Sequence, residues 1–280
     1  MSAARRRLLA LVCAGALALI SLAAWAWWPA GHWTIAEAAA AALPADAPEF
    51  LRKAGSTLAF YSDDPDLWTE KDLPVHLRAS QAPEHFIDLE LLKGRKLPGT
   101  RPEFAALCKE LGQEPDKVGT LPYALREWYD RLVLAFAEHR KWPDDGRVRT
   151  KVLYLAGVLG HYSADAVQPL HATLHFDGRA AADGSSPRTG IHFKVDALPE
   201  RLGLKADEVA KELKVSAAAD PFAAVASAIQ ESGGLVDKVY EMEKALPAVG
   251  GPAPAEPDPE VRRFALERCR AGARLTATLW

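Results

Sequence analysis

GHYSADAVQPLHATLHFDGRAAADGSSPRTGIHFKVD, residues 160–196, is the stretch on which the reading of the chain turns. Two His-x-x-x-Asp pairs bracket it, His161 with Asp165 and His192 with Asp196. His171 follows the turn-forming Gln168-Pro169-Leu170. Residues four apart share one face of a helix, so each pair can offer an imidazole and a carboxylate to a single point. Zinc takes such donors at about 2.0–2.2 Å. Five potential ligands in so short a span is dense for a chain with eight histidines in all.

Working outward, the apolar positions keep a helical period. Val152, Leu155, Ala156 and Leu159 form a stripe on a helix expected over Val148–Ala166, which carries His161 and Asp165 at its end. Before it, Pro122 opens a helix in which Leu125, Trp128, Tyr129, Leu132 and Phe136 recur three and four apart, as core aromatics and aliphatics. Helices are also expected at Thr34–Leu43, after the breakers Pro29 and Gly31, and at Phe50–Ser62, around Phe104–Leu111, at 206–213, at 220–247 with a break at Gly233-Gly234, and at Glu260–Trp280. Gly178–Gly190 reads as a surface loop near the His/Asp cluster, and Gly250–Pro259 as a linker. No sustained period-two alternation, internal repeat or heptad run is present. The expected fold is all-α, a single multi-helix domain.

The N-terminus is of another kind. Arg5-Arg6-Arg7 precede an apolar run over Leu8–Ala24, and Ala24-Trp25-Ala26 has the small-x-small form of a cleavage site. Residues 1–26 are expected to be a signal peptide and 27–280 the functional domain of a secreted or periplasmic protein. The membrane is then met only transiently; the alternative is an uncleaved anchor. Without the leader, 31 basic side chains face 37 acidic ones, a net −6. Such a chain is a poor default binder of polyanions, although three Zn²⁺ would cancel that charge. Cys108 and Cys269 remain, as one disulfide or two buried thiols.

The candidate donors are His32, Asp66, His85, His161, Asp165, His171, His192 and Asp196. Asp66 lies in the acidic turn Asp63-Asp64-Pro65-Asp66, and His85 stands one helical turn before Asp88. His76 and His139 fit no pattern and read as surface residues; His175 can at most support a ligand. The chain has no HExxH, G-x-x-x-x-G-K-[ST], G-x-S-x-G or His-Asp dipeptide. Their absence disfavours zincins, P-loop enzymes, serine hydrolases and His-Asp phosphohydrolases.

The ordered set WWPAGH (27–32), DPDLW (64–68), EHF (84–86), GHYSADAVQPLH (160–171) and GIHFKVD (190–196) resembles the superfamily that joins bacterial zinc-dependent phospholipase C to the single-strand-specific zinc nucleases of the S-one/P-one type. The resemblance spans Trp27 to about Asp196. It implies an all-α fold around a buried three-zinc site. Cleavage after Ala26 would free the α-amine of Trp27, which in that superfamily binds zinc.

One zinc would then take Trp27, His32 and Asp165. A second would take Asp66 (or Asp64), His85, His161 and the bridging Asp165, and a third His171, His192 and Asp196. Asp66 is also given a role in orienting or deprotonating the attacking water. A residue retained before Trp27 would cost one metal.

The expected activity is that of a nuclease cleaving single-stranded nucleic acid with a zinc-activated water, with a zinc-dependent phospholipase C acting on phospholipid as the alternative, and no stable protein partner is expected. The five-residue step from Trp27 to His32 and the final Asp196 lean to a nuclease of single-stranded nucleic acid. HATLHF and GIHFKVD, with no Gly-Gly-Asn after QPLH, lean to phospholipase C. A catalytically inactive zinc-binding envelope domain is the reading of a different class.

Overall fold

The computed structural model describes residues 27–72, 74–250 and 252–280, so the expected signal peptide lies outside the described residues. The protein is all-helical, and no strand forms among the described residues; Phe176 and Gly178 make an isolated bridge. Nine helices organise the site: α1 (Pro29–Ala42), α2 (Gly55–Tyr61), α3 (Asp64–Leu67), α4 (Arg101–Leu111), α5 (Leu121–Lys141), α6 (Gly146–Asp165), α7 (Ile191–Asp196), α8 (Pro221–Gly233) and α9 (Pro259–Leu279). No described helix is long and apolar enough to cross a membrane.

Local chemistry sets the ends. Proline, which lacks an amide hydrogen and has φ preset for a helix, stands in the first turn of α1, α4, α5, α8 and α9. Asp145 caps α6 by accepting from the Arg147 amide. Asp258 caps α9 by accepting from Glu260 and Val261, Asp220 caps α8, and Thr100 caps α4.

α6 is the axis of the molecule, packed by α5, α2, α9 and α1. Its approach to α2 requires Gly157, where a Cβ would lie 2.5 Å from Tyr61 Cβ and 2.9 Å from the Leu58 carbonyl oxygen. Two apolar cores flank the axis. One gathers Leu51, Leu58, Phe104, Leu121, Leu125, Leu132, Val152, Leu159 and Tyr162. The other gathers Trp27, Ile35, Leu170, Ile191, Val195, Leu198, Phe264 and Ala273. α1, α6 and α9 supply side chains to both, so a residue at the meeting of α1 and α6 sits on the seam between them.

Several expectations are corrected. The first helix begins at Pro29 rather than Thr34, because Pro29 occupies its first position, and Gly31 and His32 lie within it. Phe50–Ser62 is two helices, Glu49–Arg52 and α2, separated at Lys53-Ala54. The acidic stretch before Trp68 is the short helix α3 rather than a turn. His85 ends a 3-10 turn, Ala82–His85, and Phe86 is extended, so His85 and Asp88 do not share a helical turn. The 206–213 helix stops at Ala210, and 220–247 divides into α8, Val236–Glu241 and a 3-10 turn. Of the two alternatives left open for Cys108 and Cys269, the structure has the buried thiols, unpaired, one in each core. His139 is half-buried against the Phe50 ring, 4.8 Å away, rather than a surface residue.

Candidate metal centre

Six segments deliver the eight histidines and aspartates. α1 brings His32, α3 brings Asp66, and the 3-10 turn Ala82–His85 brings His85. The last turn of α6 brings His161 and Asp165, the 3-10 turn Pro169–His171 brings His171, and α7 brings His192 and Asp196. All eight are buried. They fall into three groups whose donor atoms lie within 4.8 Å of one another: His32, Asp66 and His161; His85, His161 and Asp165; His171, His192 and Asp196.

The distances are those of donors sharing a centre. His85 Nδ1 lies 3.1 Å from both Asp165 Oδ2 and His161 Nε2, and His161 Nε2 lies 3.2 Å from Asp165 Oδ2. His192 Nε2 is 3.1 Å from Asp196 Oδ2. Bonds of about 2.0–2.2 Å to a tetrahedral ion put its ligands roughly 3.3–3.6 Å apart. Asp66 faces His85 Nδ1 at 3.7 Å and His161 Nε2 at 3.9 Å; Asp64, the alternative, is only partly buried and joins no group.

Backbone carbonyls fix the rings. His161 Nδ1 donates to the Ser62 carbonyl at 2.7 Å, His171 Nδ1 to the His85 carbonyl at 2.7 Å, and His192 Nδ1 to the Phe176 carbonyl at 3.2 Å. That selects the tautomer whose Nε2 lone pair faces the group, the arrangement typical of metal-bound histidine. The Gln168 amide donates to Asp196 Oδ1 at 2.6 Å and leaves Oδ2 to His192.

The His85 segment is held on both sides. Ile87 N donates to the His171 carbonyl, Thr120 N to that of Pro83 and Leu121 N to that of Phe86. Gly119, at φ +91°, makes the last contact possible, since a Cβ there would sit 2.2 Å from the Phe86 oxygen.

Several donors in this buried cluster have no hydrogen-bond partner: both ring nitrogens of His32, His85 Nε2, Asp165 Oδ1, His171 Nε2 and Asp196 Oδ2. An unsatisfied buried polar atom costs roughly 1–3 kcal/mol, so the unpartnered His32 Nε2, Asp165 Oδ1, His171 Nε2 and Asp196 Oδ2 fit a bound cation, and nitrogen with carboxylate oxygen is the donor set zinc takes.

Burial opposes charging of His161, but Asp165 and Asp66 outweigh it and hold its pKa at about 9. Burial raises Asp66 to about 6 against the pull of His161 and His85. Burial would raise Asp165 too, yet His161 and His171 drive it well below the usual carboxylate range. Burial, reinforced by His161, keeps His32 neutral. Asp66, His85 and His192 retain 6–9% exposure where His161, Asp165 and Asp196 have none.

Trp27 is fully buried, and its indole Nε1 donates to the Ala164 carbonyl at 3.0 Å beside Asp165. His175 joins no group; its Nδ1 accepts from the Ala180 amide at 2.9 Å. Sequence reasoning missed Asp177, a buried carboxylate that accepts from Gly190 N at 2.7 Å and from His192 N at 3.4 Å. It thereby anchors the start of α7. Read along the chain, Asp177-Gly178 is only the start of a loop, and the contact back across it has no periodic signal.

The protein is thus an all-helical fold around three buried His/Asp groups that could hold metal ions. No protein-family model matches the chain, and no curated protein matches it. Three chains of solved structure match. They include Clostridium perfringens alpha-toxin isolated from avian strain SWCP, 15% identical with a TM-score of 0.45. That match covers 91% of this chain and 63% of the toxin chain, so this chain spans less than two thirds of the toxin's length.

Proposed function

We propose that the chain hydrolyses phosphodiesters at a three-zinc centre held by His32, Asp66, His85, His161, Asp165, His171, His192 and Asp196, in the manner of the superfamily its motifs resemble. The observation that carries this reading is the convergence of eight buried donors, several without any other partner, from six segments of the chain. Zinc bound there supplies a water acidified toward neutral pH and positive charge for the phosphoryl oxygens. The chain's own part is to hold the donors. Ser62, His85 and Phe176 orient three rings through their carbonyls, and Asp165 turns its oxygens toward separate histidines. A phosphodiester is taken to approach from Asp66, His85 and His192, the donors that retain some exposure. Residues 27–280 form one domain in this reading, released outside the cytoplasm after residues 1–26 are removed.

Exposed apolar side chains next in sequence to the site residues favour a phospholipid over single-stranded nucleic acid. Trp33, next to His32, is 44% exposed; Leu67, next to Asp66, is 43% exposed; Phe60 is 68% exposed. Between them lie Asp63 and Asp64, which burial makes weaker acids than usual. A polyanion asks for cations along its track, whereas exposed apolar side chains beside carboxylates suit a zwitterionic head group and its chains. The zinc-loaded chain should release phosphocholine from phosphatidylcholine vesicles and leave a single-stranded oligonucleotide intact. Cleavage of the oligonucleotide alone would make the nuclease reading the right one. No hydrolysis of either by a zinc-loaded chain would leave a zinc-binding envelope domain.

A further inference from the structure

We infer that Asp177 is the positioning residue of the third metal site, the one formed by His171, His192 and Asp196. It clasps the loop Gly178–Gly190 and, across that clasp, fixes His192. This role rests on the metal-centre reading above and adds no ligand to it.

His192 and Asp196 ride on α7, a helix of six residues, too short to hold its own shape in water. Its place must be imposed from outside. At its end, the Gln168 amide donates to Asp196 Oδ1 at 2.6 Å and Trp28 N to the Asp196 carbonyl at 3.2 Å. At its start, Gly190 stands at the N-cap, with no side chain to accept from the first-turn amides. Asp177, 6% exposed and 13 residues before Gly190, supplies the missing acceptor. Its Oδ1 accepts from Gly190 N at 2.7 Å and from His192 N at 3.4 Å. The Phe176 carbonyl accepts from His192 Nδ1 at 3.2 Å. Residues 176 and 177 thus grip His192 by ring and by backbone.

The return arm of the loop closes on the same residue. Ser186 Oγ donates to the Asp177 carbonyl at 2.9 Å, and Thr189 N donates to it at 3.1 Å. The outgoing arm is anchored beyond the loop. Tyr240 donates its hydroxyl to the His175 carbonyl at 2.6 Å, while Arg179 pairs with Asp237 and lies over the Tyr240 ring. Asp177 therefore carries the anchorage of one arm to His192 on the other. The donors of the other two groups lie on α1, α3, α6 and the turn Ala82–His85, outside this clasp, so its effect is confined to one zinc. Such coupling is reciprocal: zinc on His192 in turn holds the loop closed.

The test titrates a chelator against the zinc-loaded chain, with metal analysis at each step. Asp177→Ala is expected to weaken one zinc by about 10–100-fold, the usual cost of losing the support behind a ligand, and to keep the other two. Asp177→Asn, whose amide oxygen still accepts from both N–H groups, is expected to hold all three as the unsubstituted chain does. His192→Ala should lose the same zinc, so adding it to Asp177→Ala should remove no second one. Trypsin reads the loop itself. Filling the third site should slow cleavage after the exposed Arg188 in the unsubstituted chain, and zinc should give no such protection in His192→Ala. Three zincs of unchanged affinity in a folded Asp177→Ala, or loss of all three, would overturn the inference; an unchanged helical circular dichroism signal reports the fold. Should Asp177→Ala not fold, the unsubstituted chain decides, since cleavage at Arg188 that ignores the third zinc also overturns it. Absence of zinc from the unsubstituted chain would sink the metal-centre reading, and the role of Asp177 with it.

Discussion

Asp165 bears the heaviest burden of any residue. It is unexposed, within 3.2 Å of two imidazoles and 3.7 Å of two more, and its acidity is strongly enhanced by those rings. Asp165→Asn, with the same shape but without the charge, should remove zinc from both bridged positions and abolish hydrolysis. Metal analysis that found full occupancy would refute its role. His161 makes a second prediction, on pH. Its folded pKa of about 9 exceeds the roughly 6.5 of an unfolded histidine. In the metal-free protein the stability from charged His161 is therefore complete below about pH 6.5 and is lost as pH rises through 9. Zinc must displace that proton. Calorimetric titration with Zn²⁺ at pH 7.5 should thus release protons, seen as a heat that depends on the buffer's ionisation enthalpy; the dependence should shrink in His161→Asn. The eight donors were legible as residue types at fixed spacing. The residues that steady them, Gln168 and Asp177, were not, because a hydrogen bond from Gln168 to Asp196 or from His192 N to Asp177 leaves no periodic trace.

Among the elements, α6 was the easiest to read and the most consequential. Its stripe of Val152, Ala156 and Leu159 is fully buried as expected, while Leu155 is only half-buried. What the apolar period does not show is Gly157 at the crossing with α2. Gly157→Ala would drive a methyl group into Tyr61 and the Leu58 carbonyl, an overpacking expected to cost about 2 kcal/mol in a chemical melt. The displaced residue that follows is Ser62, whose carbonyl holds His161, so zinc affinity should fall with stability. Unchanged zinc affinity in that variant would mean that α2 does not position the ring. Short elements were the least legible. Four residues such as Asp64–Leu67 offer no period, and the extended Phe86 that separates His85 from Asp88 is set by contacts with Gly119 and Leu121 far along the chain. α1 was misjudged at its start for a physical reason, since a proline breaks a helix in its interior and favours it at the first turn.

At the scale of the whole molecule, the His/Asp cluster sits where two apolar cores meet, and α1, α6 and α9 thread both. Filling the centre should tie the halves together. Free zinc at a hundred times its dissociation constant contributes about 2.7 kcal/mol per site to stability, or roughly 5–10 °C of melting temperature for a chain of this size. A chelator should therefore lower the melting temperature by at least that amount; an unchanged melt would place the metal outside the cooperative fold. The all-helical class could be read from apolar period alone, but the division into two cores could not. It depends on which faces of α1 and α9 turn inward, and an Ala-rich helix such as α1 has no polar face to say so. The most direct measurement is the number of zinc ions per purified chain. About three per chain is the result expected, and none would contradict the reading of the eight buried histidines and aspartates as a metal centre.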